Sequence, residues 1–247
     1  MNPLTAEDVA PHRPEELTAF RGIEAWIFDL DNTLYPRDTN LFVQIDERIR
    51  SYVQELLGVD ETEAHRIQKD FYEQHGTSLR GLMLEHQVDV DSFLEYVHDI
   101  DRSALKPDPA LASAIERLPG RKFIFTNGSR AHALKTAEQL GFKDHFEDIF
   151  DIVAAELLPK PQRLTYERFV NRFDVFPEKA AMFEDLARNL SVPKSIGMTT
   201  VLVVPSGTRE VFHAEWEMEG HDGAEHVDFV TDDLAAFVAE IADAIEA

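Results

Sequence analysis

The sequence contains no cysteine and no long apolar run. The absence of cysteine excludes disulfides and thiolate metal sites, and it fits a reducing compartment. No segment approaches the roughly 18–20 apolar residues that are needed to span a bilayer. The polar, acidic N-terminal segment also lacks the basic start and apolar middle of a signal peptide. We therefore expect a cytoplasmic protein that does not span a membrane.

Basic residues are also scarce. The sequence has 24 Lys and Arg but 47 Asp and Glu, which gives a formal net charge of -23. This balance argues against a nucleic-acid or anionic-membrane partner, because such surfaces need clustered basic side chains. A solvated acidic surface is the simplest interpretation. If the substrate is an anion, its attraction must come from a local source, such as a metal ion or a helix N-terminus.

Short apolar runs alternate with segments of helical periodicity along most of the chain. The six runs are 23–28, 122–126, 149–153, 180–183, 200–204 and 227–230. This repetition predicts an α/β fold in which helices cover both faces of a parallel sheet. In such sheets, ligands bind beyond the carboxyl ends of the strands. Thr231 is the expected N-cap of a final acidic helix.

One interval, residues 38–105, shows helix signals only. Asn40 is expected to cap the first helix there, and Asp60 the second. We therefore predict a helical domain at 38–105, inserted into a core that is formed by residues 1–37 and 106–247.

Polar side chains stand at or soon after the ends of four predicted strands. They are Asp29 and Asp31, Thr126 and Asn127, Lys160, and Glu184 and Asp185. Taken singly, each has an ordinary structural explanation as a turn residue, a helix cap or a solvated loop charge. Taken together, they should meet, because the carboxyl ends of parallel strands lie at one edge of the sheet.

Such a group of side chains suits the binding and transfer of a phosphoryl group. Three carboxylates repel one another by roughly 1–4 kcal/mol per pair at ~4 Å, and a divalent cation removes this repulsion. Oxygen ligands with room for water and phosphate favour Mg²⁺. A lysine and a hydroxyl–amide pair can hold further phosphoryl oxygens. One aspartate can attack phosphorus, while a second carboxyl serves as acid and base.

Four segments resemble, in order, the motifs of the haloacid dehalogenase-like (HAD) phosphatase superfamily. They are "DLDNTLY", "TNGS", the loop that carries Lys160, and "FEDLARNL". The resemblance spans nearly the whole chain. It implies a Rossmann-like parallel sheet with a helical cap domain after the first strand. Receiver domains also combine Asp, Thr and Lys with Mg²⁺, but in another order, on a shorter chain and without the insertion.

The resemblance implies a role for each catalytic and phosphate-binding residue. Asp29 would be the nucleophile and Asp31 the general acid and base. Thr126 and Asn127 would hold the phosphoryl oxygens, and Lys160 would pair with both the nucleophile and the phosphate.

The same resemblance implies a Mg²⁺ site made by Asp29, the main-chain carbonyl of Asp31, and Asp185. Two residues depart from the usual pattern. Glu184 stands where Asp or Gly is frequent, and Asn189 stands where a second acid is common. Both departures concern the surroundings of the metal and not the reaction.

The substrate class follows from narrower features. Asp31 favours phosphoester hydrolysis over carbon–halogen cleavage, because dehalogenases of the superfamily lack an acid at this position. Tyr35 and the segment "GTSLRGL" at 76–82 resemble the pyrimidine 5'-nucleotidase group. This implies the small-molecule substrates UMP and CMP, with Arg80 as a candidate contact.

Two other functions remain open at this point. One is a general phosphatase for sugar or cofactor phosphates, with the same chemistry and a permissive cap. The other is a non-catalytic phosphate-binding protein, which would require the loss of Asp29 or Asp31, and both are present. His221 and His226 could form a further metal site, although two histidines in an acidic loop are more simply explained as solvated residues.

Overall fold

The computed structural model describes residues 13, 15–205 and 225–246. Within these ranges the strands are β1 (Ala25–Phe28), β2 (Arg121–Phe125), β3 (Asp148–Phe150), β4 (Ala180–Glu184), β5 (Thr199–Val203) and β6 (Phe229–Thr231). The helices are α1 (Leu41–Leu57), α2 (Glu61–His75), α3 (Ser78–His86), α4 (Val90–Val97), α5 (Pro109–Arg117), α6 (Arg130–Leu140), α7 (Arg163–Phe173), α8 (Ala187–Ser195) and α9 (Leu234–Glu246). In the described part of the chain, no helix is both long and apolar enough to cross a membrane.

The strands form one parallel sheet in the order β3-β2-β1-β4-β5-β6. The chain leaves β1 on one side to build β2 and β3, and then crosses to the other side to build β4, β5 and β6. The predicted α/β fold with a parallel sheet is therefore confirmed. The change of direction occurs between β1 and β4, which is the point where open sheets of this kind bind ligands.

Helices cover the sheet on both faces. Trp26 and Phe28 belong to a core cluster with residues of α5, α6 and α9. Ile27 and Phe125 face the opposite cluster, which includes residues of α7 and α8. A strand that is buried on both faces needs apolar side chains at every position. This explains why "AWIF" runs without a polar interruption up to Asp29.

The helices α1 to α4 have a hydrophobic cluster of their own, around Val53, Phe71, Leu82 and Phe93. Ile152, from the segment after β3, is also part of this cluster. The helical insertion therefore packs against the loop that leads from β3 towards Lys160. Its boundaries as a separate domain at 38–105 stay a prediction.

Two of the expected N-caps are wrong. Asn40 precedes α1 but makes no capping bond through its side chain. Its φ of 55° is left-handed, whereas a residue that caps a helix normally has an extended backbone. Thr231 is instead the last residue of β6, and Asp233 caps α9 by accepting a backbone N–H at 2.9 Å. Asp60 caps α2 as expected, with a backbone N–H at 2.9 Å.

The "GTSLRGL" segment has a steric explanation within the fold. Gly76 ends α2 with a φ of 83°, and a β-carbon on it would lie 3.0 Å from Cγ of Pro159. A β-carbon on Gly81 would lie 2.4 Å from the ring of Phe71. Both glycines therefore allow close approach, one of α2 to the loop before Lys160 and the other of α3 to α2.

We predict that Gly81→Ala destabilises the protein. Overpacking costs about 1–3 kcal/mol, whereas alanine gains about 1 kcal/mol over glycine inside a helix, so a net loss of about 1 kcal/mol is expected. Urea denaturation measures the change. In a Phe71→Ala background the cost should shrink, because the ring is gone and only Cβ at position 71 still lies close, at 2.5 Å. An equal cost in both backgrounds would contradict the steric explanation.

Candidate active site

The carboxyl ends of three adjacent strands bring most of the predicted residues together. Asp29 follows β1, and its backbone N–H donates to the carbonyl of Phe183 in β4 at 2.9 Å. Thr126 follows β2. Glu184 is the last residue of β4, and Asp185 follows it. All four of these polar side chains are buried. The site is therefore a polar pocket at the switch point of the sheet.

Lys160 lies at the centre of this pocket and is 1% exposed. Its ammonium group donates to Asp29 Oδ1 at 2.6 Å, to Glu184 Oε1 at 2.7 Å and to the carbonyl oxygen of Phe125 at 2.9 Å. Burial alone would lower the pKa of Lys160, but the carboxylates of Asp29 and Glu184 raise it above its usual value. The lysine is therefore a fixed cation that uses all three of its donors.

Asn127 holds the backbone of this lysine. Its Oδ1 accepts the N–H of Lys160 at 2.8 Å, and its Nδ2 donates to the carbonyl of Lys160 at 3.4 Å. The hydroxyl of Thr126 accepts the N–H of Gly128 at 2.9 Å, which leaves the hydroxyl hydrogen to be donated elsewhere. In this structure, Asn127 thus positions Lys160, a contact that the sequence did not indicate.

The two departures from the family pattern contact each other. Asn189 Nδ2 donates to Glu184 Oε1 at 2.7 Å, and the N–H of Leu186 donates to Glu184 Oε2 at 2.8 Å. Together with Lys160, these donors occupy both oxygens of Glu184. An amide at position 189 suits the longer glutamate, because an acid there would repel it.

Arg37 provides the second cation of the site, and its side chain is partly exposed. Its Nη2 donates to Asp185 Oδ2 at 2.6 Å. Burial nevertheless raises the pKa of Asp185 to about 7, despite the opposing effect of Arg37. Burial also raises the pKa of Asp29 well above its usual range, despite Lys160. Both carboxyl groups are thus short of compensating positive charge.

These residues fit a divalent cation. Carboxylate oxygens of Asp29, Glu184 and Asp185 lie within 4.8 Å of one another. With all three ionised, Lys160 and Arg37 leave one negative charge uncompensated in a buried site, which is costly. Because protein donors occupy Glu184, the carboxylates that would hold the ion are Asp29 and Asp185. The main-chain carbonyl of Asp31 stays a predicted ligand.

The side chain of Asp31 lies in a different environment. Its Oδ1 accepts from Nε2 of His132 at 2.9 Å and from the hydroxyl of Tyr35. Burial would raise the pKa of Asp31, but the electrostatic attraction and hydrogen bond of His132, with the hydrogen bond of Tyr35, lower it to about 2. At neutral pH Asp31 is therefore an ionised carboxylate held by two donors.

Arg80 lies at the contact between the insertion and the core. Its Nη1 donates to the carbonyl of Leu157 at 3.2 Å. Leu157 belongs to the loop between β3 and Lys160 and has a φ of 62°. Whether Arg80 also touches a substrate stays a prediction. Of the two loop histidines, His221 lies outside the described residues, and Nε2 of His226 bonds to a backbone carbonyl at 2.8 Å.

Sequence reasoning missed two residues of the site, Arg37 and His132. Arg37 lies 148 residues from its partner Asp185, and His132 lies 101 residues from Asp31. A weak signal existed for His132, because it occupies the first turn of α6, the helix that starts at the rim of the sheet.

The comparisons with known proteins agree with this geometry. The family of haloacid dehalogenase-like hydrolases matches residues 23–197, and the chain belongs to that family.

The curated proteins that the chain matches include one from yeast and one from a bacterium. Phosphate metabolism protein 8 of Saccharomyces cerevisiae is 31% identical over 138 residues, which cover 51% of this chain and 42% of the yeast protein. The Phosphorylated carbohydrates phosphatase of Thermotoga maritima is 25% identical over 187 residues, which cover 72% of this chain and 84% of that protein. The match thus spans less than half the length of the yeast relative.

Solved structures share the fold. The HAD phosphatase from Thermococcus onnurineus superposes with a TM-score of 0.57 at 18% identity, covering 87% of this chain and 95% of that one. At this identity the likeness concerns the fold alone and does not define a substrate.

We predict that Lys160→Met strongly destabilises the protein. The substitution keeps much of the side-chain volume but leaves Asp29 and Glu184 buried without their cation, and breaking such a pair costs about 3–5 kcal/mol. Denaturant unfolding measures the loss. Lys179→Met is the matched control, because Lys179 pairs with Glu24 at the surface. The free energy of unfolding of this variant should hardly differ from that of the wild type. Equal losses in the two variants would contradict the proposed importance of the buried pair.

Proposed function

We propose that this hydrolase is a Mg²⁺-dependent phosphomonoesterase that works through an aspartyl-phosphate on Asp29. The observation that carries this proposal is the pairing of a buried carboxylate with a fixed cation, Asp29 Oδ1 with Lys160 Nζ at 2.6 Å. The three clustered carboxylates beside it outnumber their two cations by one charge. Bound Mg²⁺ would neutralise the carboxylates and the charge of a phosphoryl group. The lack of cysteine supports a cytoplasmic enzyme.

In the first step, Asp29 attacks the phosphorus atom. Lys160 donates to Oδ1 of Asp29, and no described residue donates to Oδ2. We therefore take Oδ2 as the attacking oxygen. The oxygen–phosphorus bond to Asp29 forms as the ester oxygen leaves and takes a proton from Asp31. Asp31 can carry that proton only with substrate bound, because the negative phosphoryl group raises the pKa of a neighbouring carboxyl.

In the second step, water attacks the same phosphorus atom and gives its proton to Asp31. The bond between Asp29 and phosphorus breaks, and inorganic phosphate and the free carboxylate are released. Thr126 would hold a phosphoryl oxygen in both steps. Lys160 would do so as well once the phosphoryl group displaces one of the three acceptors of its ammonium group. The ionised state of Asp31, held by Tyr35 and His132, suits the base that this step requires.

Two alternatives are less well supported. A dehalogenase needs no acid beside the nucleophile, because halide leaves without a proton, whereas Asp31 here has two dedicated hydrogen-bond donors. A non-catalytic phosphate-binding protein would not need a nucleophile, whereas Asp29 is buried against Lys160.

For the substrate we propose a pyrimidine nucleoside 5'-monophosphate. The support is the resemblance of Tyr35 and of "GTSLRGL" to the pyrimidine 5'-nucleotidase group, together with the position of Arg80 between insertion and core. The second candidate is a general sugar-phosphate phosphatase. It is favoured by the similarity to a bacterial enzyme named for phosphorylated carbohydrates.

The reaction is tested first. Asp29→Asn should abolish the hydrolysis of p-nitrophenyl phosphate, because an amide is a poor nucleophile, and Asp31→Asn should slow it at least ~10²-fold. Wild-type activity should disappear in EDTA and return with Mg²⁺. Steady-state phosphate release measures these effects.

Asp99→Asn is the control for these variants, because Asp99 is an exposed aspartate of the helical insertion. Acid-quenched Asp31→Asn should also carry one phosphoryl group on the peptide that contains Asp29, as detected by mass spectrometry. Normal turnover of Asp29→Asn, or full activity in EDTA, would refute the proposed reaction.

The substrate class is tested separately. UMP and CMP should be hydrolysed with at least tenfold higher kcat/KM than AMP and GMP, since a pocket that reads polar groups discriminates more strongly than the roughly 1–3 kcal/mol available from bulk alone. Arg80→Ala should reduce this preference while p-nitrophenyl phosphate turnover survives. Arg66→Ala, an exposed arginine of α2, is the matched control.

Equal rates on UMP, AMP and a simple sugar phosphate would reject the pyrimidine assignment. The phosphatase proposal would stand in that case, and the general sugar-phosphate phosphatase would replace the nucleotidase.

A further inference from the structure

Two buried histidines, His98 and His132, lie next to the site and neither gives nor takes a proton in the proposed reaction. The rings of His98 and His132 stack with centroids 4.5 Å apart and an interplanar angle of 14°. His132 is fully buried, and His98 is nearly so. His132 contacts Asp31 directly, with 2.9 Å between Nε2 and Oδ1.

The surrounding donors determine which ring nitrogen of His132 carries the hydrogen. Nη2 of Arg102 lies 2.8 Å from Nδ1 of His132. A guanidinium group can only donate, so Nδ1 is the acceptor in this contact. The ring hydrogen is therefore on Nε2, from which it is donated to Asp31.

Arg102 is itself held in place by the backbone around it. It donates to the carbonyl of Ile100 at 3.2 Å through Nη1 and to the carbonyl of His98 at 3.2 Å through Nη2. These residues lie between α4, the last helix of the insertion, and α5, the first helix after it. A continuous chain of hydrogen bonds thus leads from the end of the insertion to Asp31.

We propose that His132 is a positioning residue for Asp31, and that Arg102 selects the tautomer of His132 that can do this. The inference rests on the proposed function, in which Asp31 is the acid and base. The side chain of Asp31 has two donors on one oxygen, Tyr35 and His132. Removal of His132 leaves a single hydroxyl, around which the carboxylate can rotate.

The proposal differs from a purely structural role in what it changes. A buried histidine that only fills space affects stability, and any loss of activity follows the loss of folded protein. A positioning residue affects the steps that move a proton and leaves substrate binding intact. His132 should therefore influence kcat and not KM, because its ring nitrogens bond to Asp31 and Arg102 and not to Lys160 or Thr126, which would hold the phosphoryl group.

The test compares two substitutions of similar side-chain size. His132→Leu removes the N–H donor, whereas His132→Gln keeps an amide N–H that can reach Asp31. We expect His132→Leu to lower kcat about 10- to 100-fold, a part of the full contribution of an acid–base group, with KM unchanged. His132→Gln should recover most of the rate. His65→Leu, at an exposed histidine of α2, is the control.

Two substrates sharpen the comparison. An alkyl phosphate needs a proton on its leaving oxygen, whereas p-nitrophenolate leaves readily without one. His132→Leu should therefore lower kcat more for the alkyl phosphate than for p-nitrophenyl phosphate. Equal kcat for His132→Leu and wild type, or equal losses in His132→Leu and His132→Gln, would overturn the proposal.

A second measurement covers the case in which His132→Leu does not fold. ¹⁵N NMR of the wild-type protein should show the His132 ring protonated at Nε2, and Arg102→Met, which removes the donor to Nδ1, should remove this bias. An Nδ1-protonated ring in the wild type would overturn the proposal without any activity measurement. If the wild type hydrolyses no phosphomonoester, the proposed function fails, and the tautomer result still reports separately on the Arg102–His132–Asp31 contacts.

Discussion

A lysine ammonium group lies buried between two carboxylates at the centre of the site, and four segments of the chain must be correctly placed to surround it. Asp29 comes from the end of β1, Glu184 from β4, the carbonyl of Phe125 from β2, and Lys160 itself from the loop before α7. An ammonium group in such a place needs an acceptor for each of its hydrogens, because an unpaired buried charge is very costly. The order of the strands, with β1 between β2 and β4, supplies these acceptors.

The charges of the site relate to those of the whole chain. The protein carries a formal net charge of -23, which repels an anionic substrate. The two cations of the site, Lys160 and Arg37, are already matched to the carboxylates of Asp29, Glu184 and Asp185. Attraction of a phosphoryl group therefore depends on additional positive charge at the rim. A bound divalent cation would supply it where it is needed.

The two aspartates that follow β1 are separated by one residue but have contrasting surroundings. Asp29 faces a fixed cation and other carboxylates, and burial raises its pKa. Asp31 accepts hydrogen bonds from Tyr35 and His132, and its pKa falls to about 2. Such a contrast is what lets two neighbouring carboxyl groups take different roles. Asp31 is also linked by hydrogen bonds, through His132, to Arg102 at the end of the helical insertion.

The sequence by itself determined the class of fold and most of the rim. Apolar runs that end in polar residues predicted the parallel sheet, because strands buried on both faces admit no polar alternation. The same rule placed Asp29, Thr126, Glu184 and Asp185 at one edge of the sheet. Local signals were less reliable where the backbone conformation decided the outcome, as at Asn40, whose left-handed φ prevents it from capping α1.

Only the tertiary structure decided the partners of these residues. Arg37 meets Asp185 across 148 residues of sequence, and His132 meets Asp31 across 101. No local pattern encodes such contacts, because they arise from the packing of α6 and of the loop after β1 against the sheet. Periodicity and motifs report on neighbours along the chain, whereas the donors that orient a carboxylate are set by which segments the folded core brings within hydrogen-bonding distance.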